Sequence, residues 1–110
     1  MIDRTWHELA DAILSLEQEL RMAAMWQGDS PSAQQLSSSA PFCVDTLSFD
    51  QWLQWIFIPR MVEIIEQGEG MPGACNIQPM GEEAFAHLGR QRYRLIEVLG
   101  DIDRLASRLA

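Results

Sequence analysis

The segment Pro41 to Met61, PFCVDTLSFDQWLQWIFIPRM, constrains the fold more than any other stretch of the chain. From Phe49 onward it reads as a helix that is apolar nearly all round. Phe49, Trp52, Leu53 and Ile56 form one face, and Trp55, Ile58, Val62 and Ile65 form another. A helix with two apolar faces must be covered on both, so the rest of the chain has to wrap it. Ser48 and Gln51 stand at capping-box spacing, and Asp50 adds negative charge near the helix N-terminus. The pattern predicts a helix to about Gln67, with Gly68 and Gly70 beyond it. Pro59 falls in the interior. It lacks an N–H and its ring meets the carbonyl of Trp55, which costs about 3 kcal/mol in a straight helix. A kink at Phe57–Ile58 is expected, or two abutting helices with Pro59 opening the second.

Two long amphipathic stretches are available to do the wrapping. The first is expected from about Ile2 to Trp26. Its seam is Ile2, Trp6, Leu9, Ile13, Leu16, Leu20 and Ala23, spaced four and three in turn as in a heptad repeat. Gly28 reads as its stop. The second is expected from about Gly81 to Leu109, with Phe85, Leu88, Leu95, Leu99, Ile102, Ala106 and Leu109 on a seam that Arg92 alone interrupts. Ser30 followed by Pro31 predicts a short helix that the Ser37–Ser39 run ends. Pro41 to Thr46 reads as an ordered loop, because Phe42, Val44 and Leu47 need burial. No segment has a strand period. The expectation is an all-α chain, with residues 1–110 as a single domain. It is a small antiparallel helical bundle of two long helices, a kinked central helix and a short fourth helix.

Charge narrows the function classes. The chain has a formal net charge of −8, with 16 acidic residues against 8 basic ones, all of them Arg. Such a chain repels a phosphate backbone at long range, which disfavours broad nucleic-acid binding. The two cysteines, Cys43 and Cys75, fall in different loops, far short of a disulfide scaffold. Asp3, Glu8 and Asp11 stand where a signal peptide needs an apolar run. No stretch is long and apolar enough for a membrane helix. The reading is a soluble, cytoplasmic protein with no membrane partner.

No catalytic constellation emerges. His7 with Asp11 and Glu83 with His87 stand four apart, yet in an antiparallel pair of helices they lie at opposite ends, and they lack the paired motifs of a di-metal bundle. No carboxylate pair is placed as acid and base. Cys43 lies beside Asp45, and a carboxylate neighbour does not activate a thiol. No metal and no cofactor are expected. One basic cluster, Arg90, Arg92 and Arg94, could meet a phosphate or an acidic partner, or pair with the chain's own carboxylates, which the acidic surplus favours. The aromatics divide into expected core wedges, Phe49 and Trp52, and expected interface anchors, Trp55 and Phe57.

The residues Pro41, Phe42, Asp45, Thr46, Leu47, Phe49, Gln51, Trp52, Leu53, Gln54 and Phe57 to Met61 resemble the signature of the YqcC-like family of small bacterial proteins. The resemblance implies a small all-α bundle with no established catalytic residues or cofactor. In many bacteria the gene of such a protein neighbours one for a tRNA uridine-65 pseudouridine synthase. That synthase is therefore the expected partner of a non-enzymatic accessory protein, and a second copy of the chain is the other candidate. Trp55, Phe57, Arg60, Arg90 and Arg94 are the expected partner-binding residues. Direct RNA contact through the arginine cluster is the alternative, and an enzyme or metal-binding protein a more distant one.

Overall fold

The computed structural model describes residues 4–110, and no strand occurs among them. The fold is all-α, as expected. Helix α1 (Arg4–Met22) buries Leu9, Ile13, Leu16 and Leu20, the heptad seam read from the sequence. Ile2, the seam's first expected member, lies outside the described residues. Helix α6 (Gln91–Leu109) buries Leu95, Val98, Leu99, Ile102, Leu105 and Ala106. The two helices pack antiparallel. Arg94 near the start of α6 pairs with Glu19 near the end of α1 at 3.6 Å, and Glu8 and Asp11 of α1 flank Arg104 and Leu105 of α6.

Helix α1 ends earlier than Trp26. The Met25 N–H donates to the Leu20 carbonyl at 2.9 Å and the Ala24 N–H to that of Arg21 at 3.0 Å, a Schellman closure. Its left-handed residue is Ala24, with φ of 58°, where glycine is usual. Nothing in the sequence marks this stop because the position carries a Cβ. Tertiary contacts impose it: Met25 and Trp26 turn back onto the core, and Arg21 lies over the Trp26 ring at 4.7 Å. Replacing Ala24 by Gly removes a left-handed penalty of about 1 kcal/mol. Ala24→Gly is expected to raise stability by up to that amount in urea unfolding, and a loss of stability would contradict this account.

The central helix is continuous across Pro59 and solves the proline problem by widening. Helix α3 (Phe49–Trp52) passes into a π segment, Leu53–Phe57, and then into α4 (Ile58–Gln67). The Ile58 N–H donates to the Leu53 carbonyl, five residues back, which opens the turn where the proline ring would otherwise strike Trp55. The widening also serves packing. Phe49, Leu53, Phe57 and Met61 are all buried, at intervals of four. In a regular α-helix each such step overshoots a full turn by about 40°, so four residues so spaced drift off one face. The π turn takes up that drift and keeps all four in the core. At the entry, the Ser48 N–H donates to Gln51 Oε1 at 2.9 Å, the bond expected from the capping-box spacing. At the exit, Gly68 adopts φ of 61° and closes the helix.

Three expectations about the rest of the chain need correction. The short helix forms as α2 (Ala33–Leu36), capped by Ser32, not Ser30, and it buries no residue. One polar turn, AQQL, has too little apolar surface to join a core. The long C-terminal helix is divided. Helix α5 (Gln78–Ala84) and a 3₁₀ turn, Ala86–Leu88, precede Gly89, whose φ of 64° breaks the path before α6 begins. Helix α5 is the element that fills the fourth packing position. A Cβ at Gly81 would run into Leu99 Cδ1, and one at Gly100 would meet the Gln78 side chain, so α5 and α6 approach as closely as glycines permit. Asp103 of α6 accepts the Ile77 and Gln78 N–H groups at 2.9 Å each and so caps α5 from a neighbouring helix. Val44, expected to be buried in the loop before α3, is 64% exposed, whereas Leu47 is buried.

Candidate functional site

A concavity with a largely apolar lining lies along one flank of the central helix. Trp52, Ile56, Phe57, Met61 and Ile64 form its floor, and the loop carrying Met71 to Cys75 forms its opposite wall. Its volume is about 310 Å³, at the lower end of the range for binding clefts. The loop is pinned in place by the Met71 N–H, which donates to the Leu109 carbonyl at 3.2 Å. Trp52 stacks on Phe57 at 5.3 Å between ring centres and on Phe49 at 5.8 Å, so the aromatic floor is rigid. Arg60 stands at the rim, exposed, and forms no ion pair with any described carboxylate.

The structure redistributes the expected anchors. Phe57 does not project: it is 6% exposed and belongs to the core, because the π turn rotates it inward. It reaches the groove only as part of the floor. Trp52, expected as a core wedge, is half-buried and lines the groove. Trp55 is half-buried, and its indole N–H is sealed from solvent with no hydrogen-bond partner among the described residues.

The arginine cluster is largely engaged. Arg94 pairs with Glu19 and also with Glu97 at 3.2 Å. Arg92 does not enter a seam. It donates to the Gly89 carbonyl at 3.0 Å and to the Tyr93 hydroxyl at 2.9 Å, fastening the break before α6. Arg90 alone of the three is exposed without a described carboxylate partner. Among the described residues the one buried polar side chain is Gln54, a member of the signature segment to which no structural role was assigned. Its Nε2 donates to the Gln27 carbonyl at 2.7 Å and its Oε1 accepts the Gln27 N–H at 2.8 Å. It thereby ties the chain leaving α1 to the π segment. The signal was a glutamine at a core-facing position, which sequence periodicity assigned to neither face.

Other chemistry is sparse. His7 and His87 are exposed, His7 on α1 and His87 in the 3₁₀ turn before α6. Among the described residues no group of three or more His, Cys, Asp or Glu is disposed to hold a metal ion. Cys43 and Cys75 are both free thiols. Burial pushes the Cys75 thiol above its ordinary value, and the Asp103 carboxylate adds to the effect, so it is held in the protonated, unreactive form at neutral pH. Among the described residues no helix is long and apolar enough to cross a membrane.

The fold is a small all-α bundle with a largely apolar groove along one flank of its central helix. Residues 8–105 match the model of the DUF446 family, described as tRNA pseudouridine synthase C, and the chain belongs to this family. It is 36% identical over 91 residues to the uncharacterised protein YqcC of Escherichia coli, covering 83% of this chain and 84% of that one. The solution NMR structure of YqcC from E. coli superimposes with a TM-score of 0.83 at 33% identity, over 100% of this chain and 92% of that one. An uncharacterised protein of Haemophilus influenzae is 41% identical over 70 residues, which span 64% of this chain and 66% of that one. A protein of Pectobacterium carotovorum named tRNA pseudouridine synthase C is 30% identical over 66 residues, 60% of this chain but 18% of that protein.

Proposed function

We propose that the chain is a non-enzymatic helical accessory module that docks on a tRNA pseudouridine synthase in the cytoplasm. The observation that carries the reading is the similarity to 18% of a longer protein named tRNA pseudouridine synthase C. A segment of this kind joined to a synthase-named chain supports a working association between the two. The remaining 82% of that protein lies outside the match, so its named activity does not have to reside in the shared segment. The groove supplies a surface suited to docking, with a rigid aromatic floor and a charged rim. The charge also fits. An enzyme that modifies tRNA presents basic surface to phosphate, and a chain of net charge −8 complements such a body at long range.

Direct RNA contact has less support. Arg94 and Arg92 are already engaged, and the net charge opposes approach to a phosphate backbone.

Isothermal titration of this chain against the tRNA pseudouridine synthase C of the same organism tests the reading. A saturable complex at near-physiological salt is expected, together with no binding of tRNA by this chain alone. Absence of a complex would remove the partner assignment. Salt-dependent tRNA binding lost in Arg90→Ala would favour the RNA reading instead.

A further inference from the structure

The groove beside the central helix has a stated chemistry, and it rests on the accessory reading above only for the identity of the partner. Trp52, Ile56, Arg60 and Ile64 follow one another at intervals of four along the groove. The lining residues include no carboxylate, in a chain with 16 of them. Arg60, Arg90, Arg92 and Arg108 pair with no described acid, whereas Arg4, Arg21, Arg94 and Arg104 do, and of the unpaired four only Arg60 is among the groove's lining residues. An apolar floor with an uncompensated guanidinium at its edge is complementary to an apolar side chain followed closely by a carboxylate. We infer that the groove receives a segment of a partner protein in which one or two large apolar side chains precede an Asp or Glu within about one helical turn. The apolar residue enters over Trp52 and Met61, and the carboxylate takes a forked hydrogen bond from Arg60. Met61 in the floor and Met71 in the wall give the groove adaptability around the inserted side chain.

A second copy of the chain is disfavoured as the occupant, because two bodies of charge −8 repel each other on approach. Another apolar concavity, between α1 and α4, differs in kind. Glu66 lines it beside Leu14 and Val62, and no cation is among its lining residues.

The test has two arms. The first compares the wild type with Arg60→Glu, Ala74→Glu and Leu14→Gln for binding to the tRNA pseudouridine synthase C of the same organism. All three positions are exposed, and folding is checked by circular dichroism. Arg60→Glu and Ala74→Glu are expected to weaken binding by about tenfold or more, and Leu14→Gln to leave it unchanged. Equal binding by all four chains would overturn the groove assignment while leaving the accessory function intact.

The second arm needs no synthase. Random 12-residue peptides displayed on phage are selected on the wild type, with the Arg60→Glu chain as competitor. Enriched peptides are expected to carry Leu, Phe or Trp followed by Asp or Glu. Changing that acid to Lys is expected to abolish binding to the wild type and to favour Arg60→Glu. If the synthase fails to bind, the accessory reading falls and this arm alone decides the groove. Peptides without an acid, or a selection indifferent to Arg60→Glu, would overturn the inference. So would a homodimer that Arg60→Glu dissociates.

Discussion

Phe85→Ala is expected to lower the unfolding free energy by about 3–5 kcal/mol, the range for deleting a buried aromatic side chain. Phe85 is 1% exposed and is the largest fully buried side chain. It closes α5 against the central helix, with its ring 5.7 Å from that of Phe49, and it packs beside Gly81 where α5 meets α6. Removing the ring therefore leaves a cavity shared by three elements. None can shift to fill it: the Gly81–Leu99 approach is already at contact, and Asp103 holds the start of α5. The measurement is equilibrium urea denaturation, read as a fall in midpoint at unchanged slope. A loss under about 1 kcal/mol would show that α5 is not integral to the core. The fourth packing position would then have to be sought elsewhere.

Gln54→Glu is expected to cost about 3 kcal/mol or more at pH 7, although the two side chains have almost the same shape. Gln54 is 5% exposed and acts as both donor and acceptor to the Gln27 backbone. A carboxylate can still accept the Gln27 N–H, but its second oxygen would face the Gln27 carbonyl with no proton between them. The charge would also lose most of its hydration. Burial and the facing carbonyl raise the folded-state pKa of the new carboxyl above its unfolded value of about 4.3. The sign follows from linkage. The protonated acid can replace the amide donor, so the variant approaches wild-type stability below about pH 4. It loses stability as pH rises through the folded pKa, and the penalty is complete above it. Gln54→Leu removes both bonds but adds no charge, so it is expected to cost about 1–3 kcal/mol with no such pH dependence. Urea midpoints between pH 3.5 and 8 separate the two variants. A flat difference between Gln54→Glu and wild type across that range would show that Gln54 is not held as described.

Much of the fold was legible in the residues. The heptad seams of α1 and α6 predicted their burial and their pairing, because a stripe of large aliphatic side chains has one low-energy use in water. The Ser48 and Gln51 spacing predicted the start of the central helix, since capping acts within one turn and needs no distant partner. Pro59 announced a disturbance for the same reason. Its form was not legible. Kink, break and π turn all relieve the proline, and the choice fell to the core, which holds Phe49, Leu53, Phe57 and Met61 in one line.

The candidate site was legible in location and not in detail. The segment that reads as apolar on every side does supply the groove. However, Phe57 enters it only as a core residue in its floor, Trp52 lines it, and the loop from Met71 to Cys75 builds its far wall. A residue's exposure depends on what other elements cover, which sequence periodicity does not record.

The sequence by itself determined that this is an all-α chain, where its two principal seams lie, where its central helix begins and stops, and which family it resembles. Each of these rests on side-chain periodicity or on caps that close within a turn. Only the tertiary structure decided that α1 stops at an alanine, that Gly89 divides the last helix, that Gln54 clamps Gln27, and that Arg60 stands unpaired beside an apolar groove. Those outcomes depend on groups remote in sequence competing for the same space and the same hydrogen bonds, and local pattern does not rank such competitors.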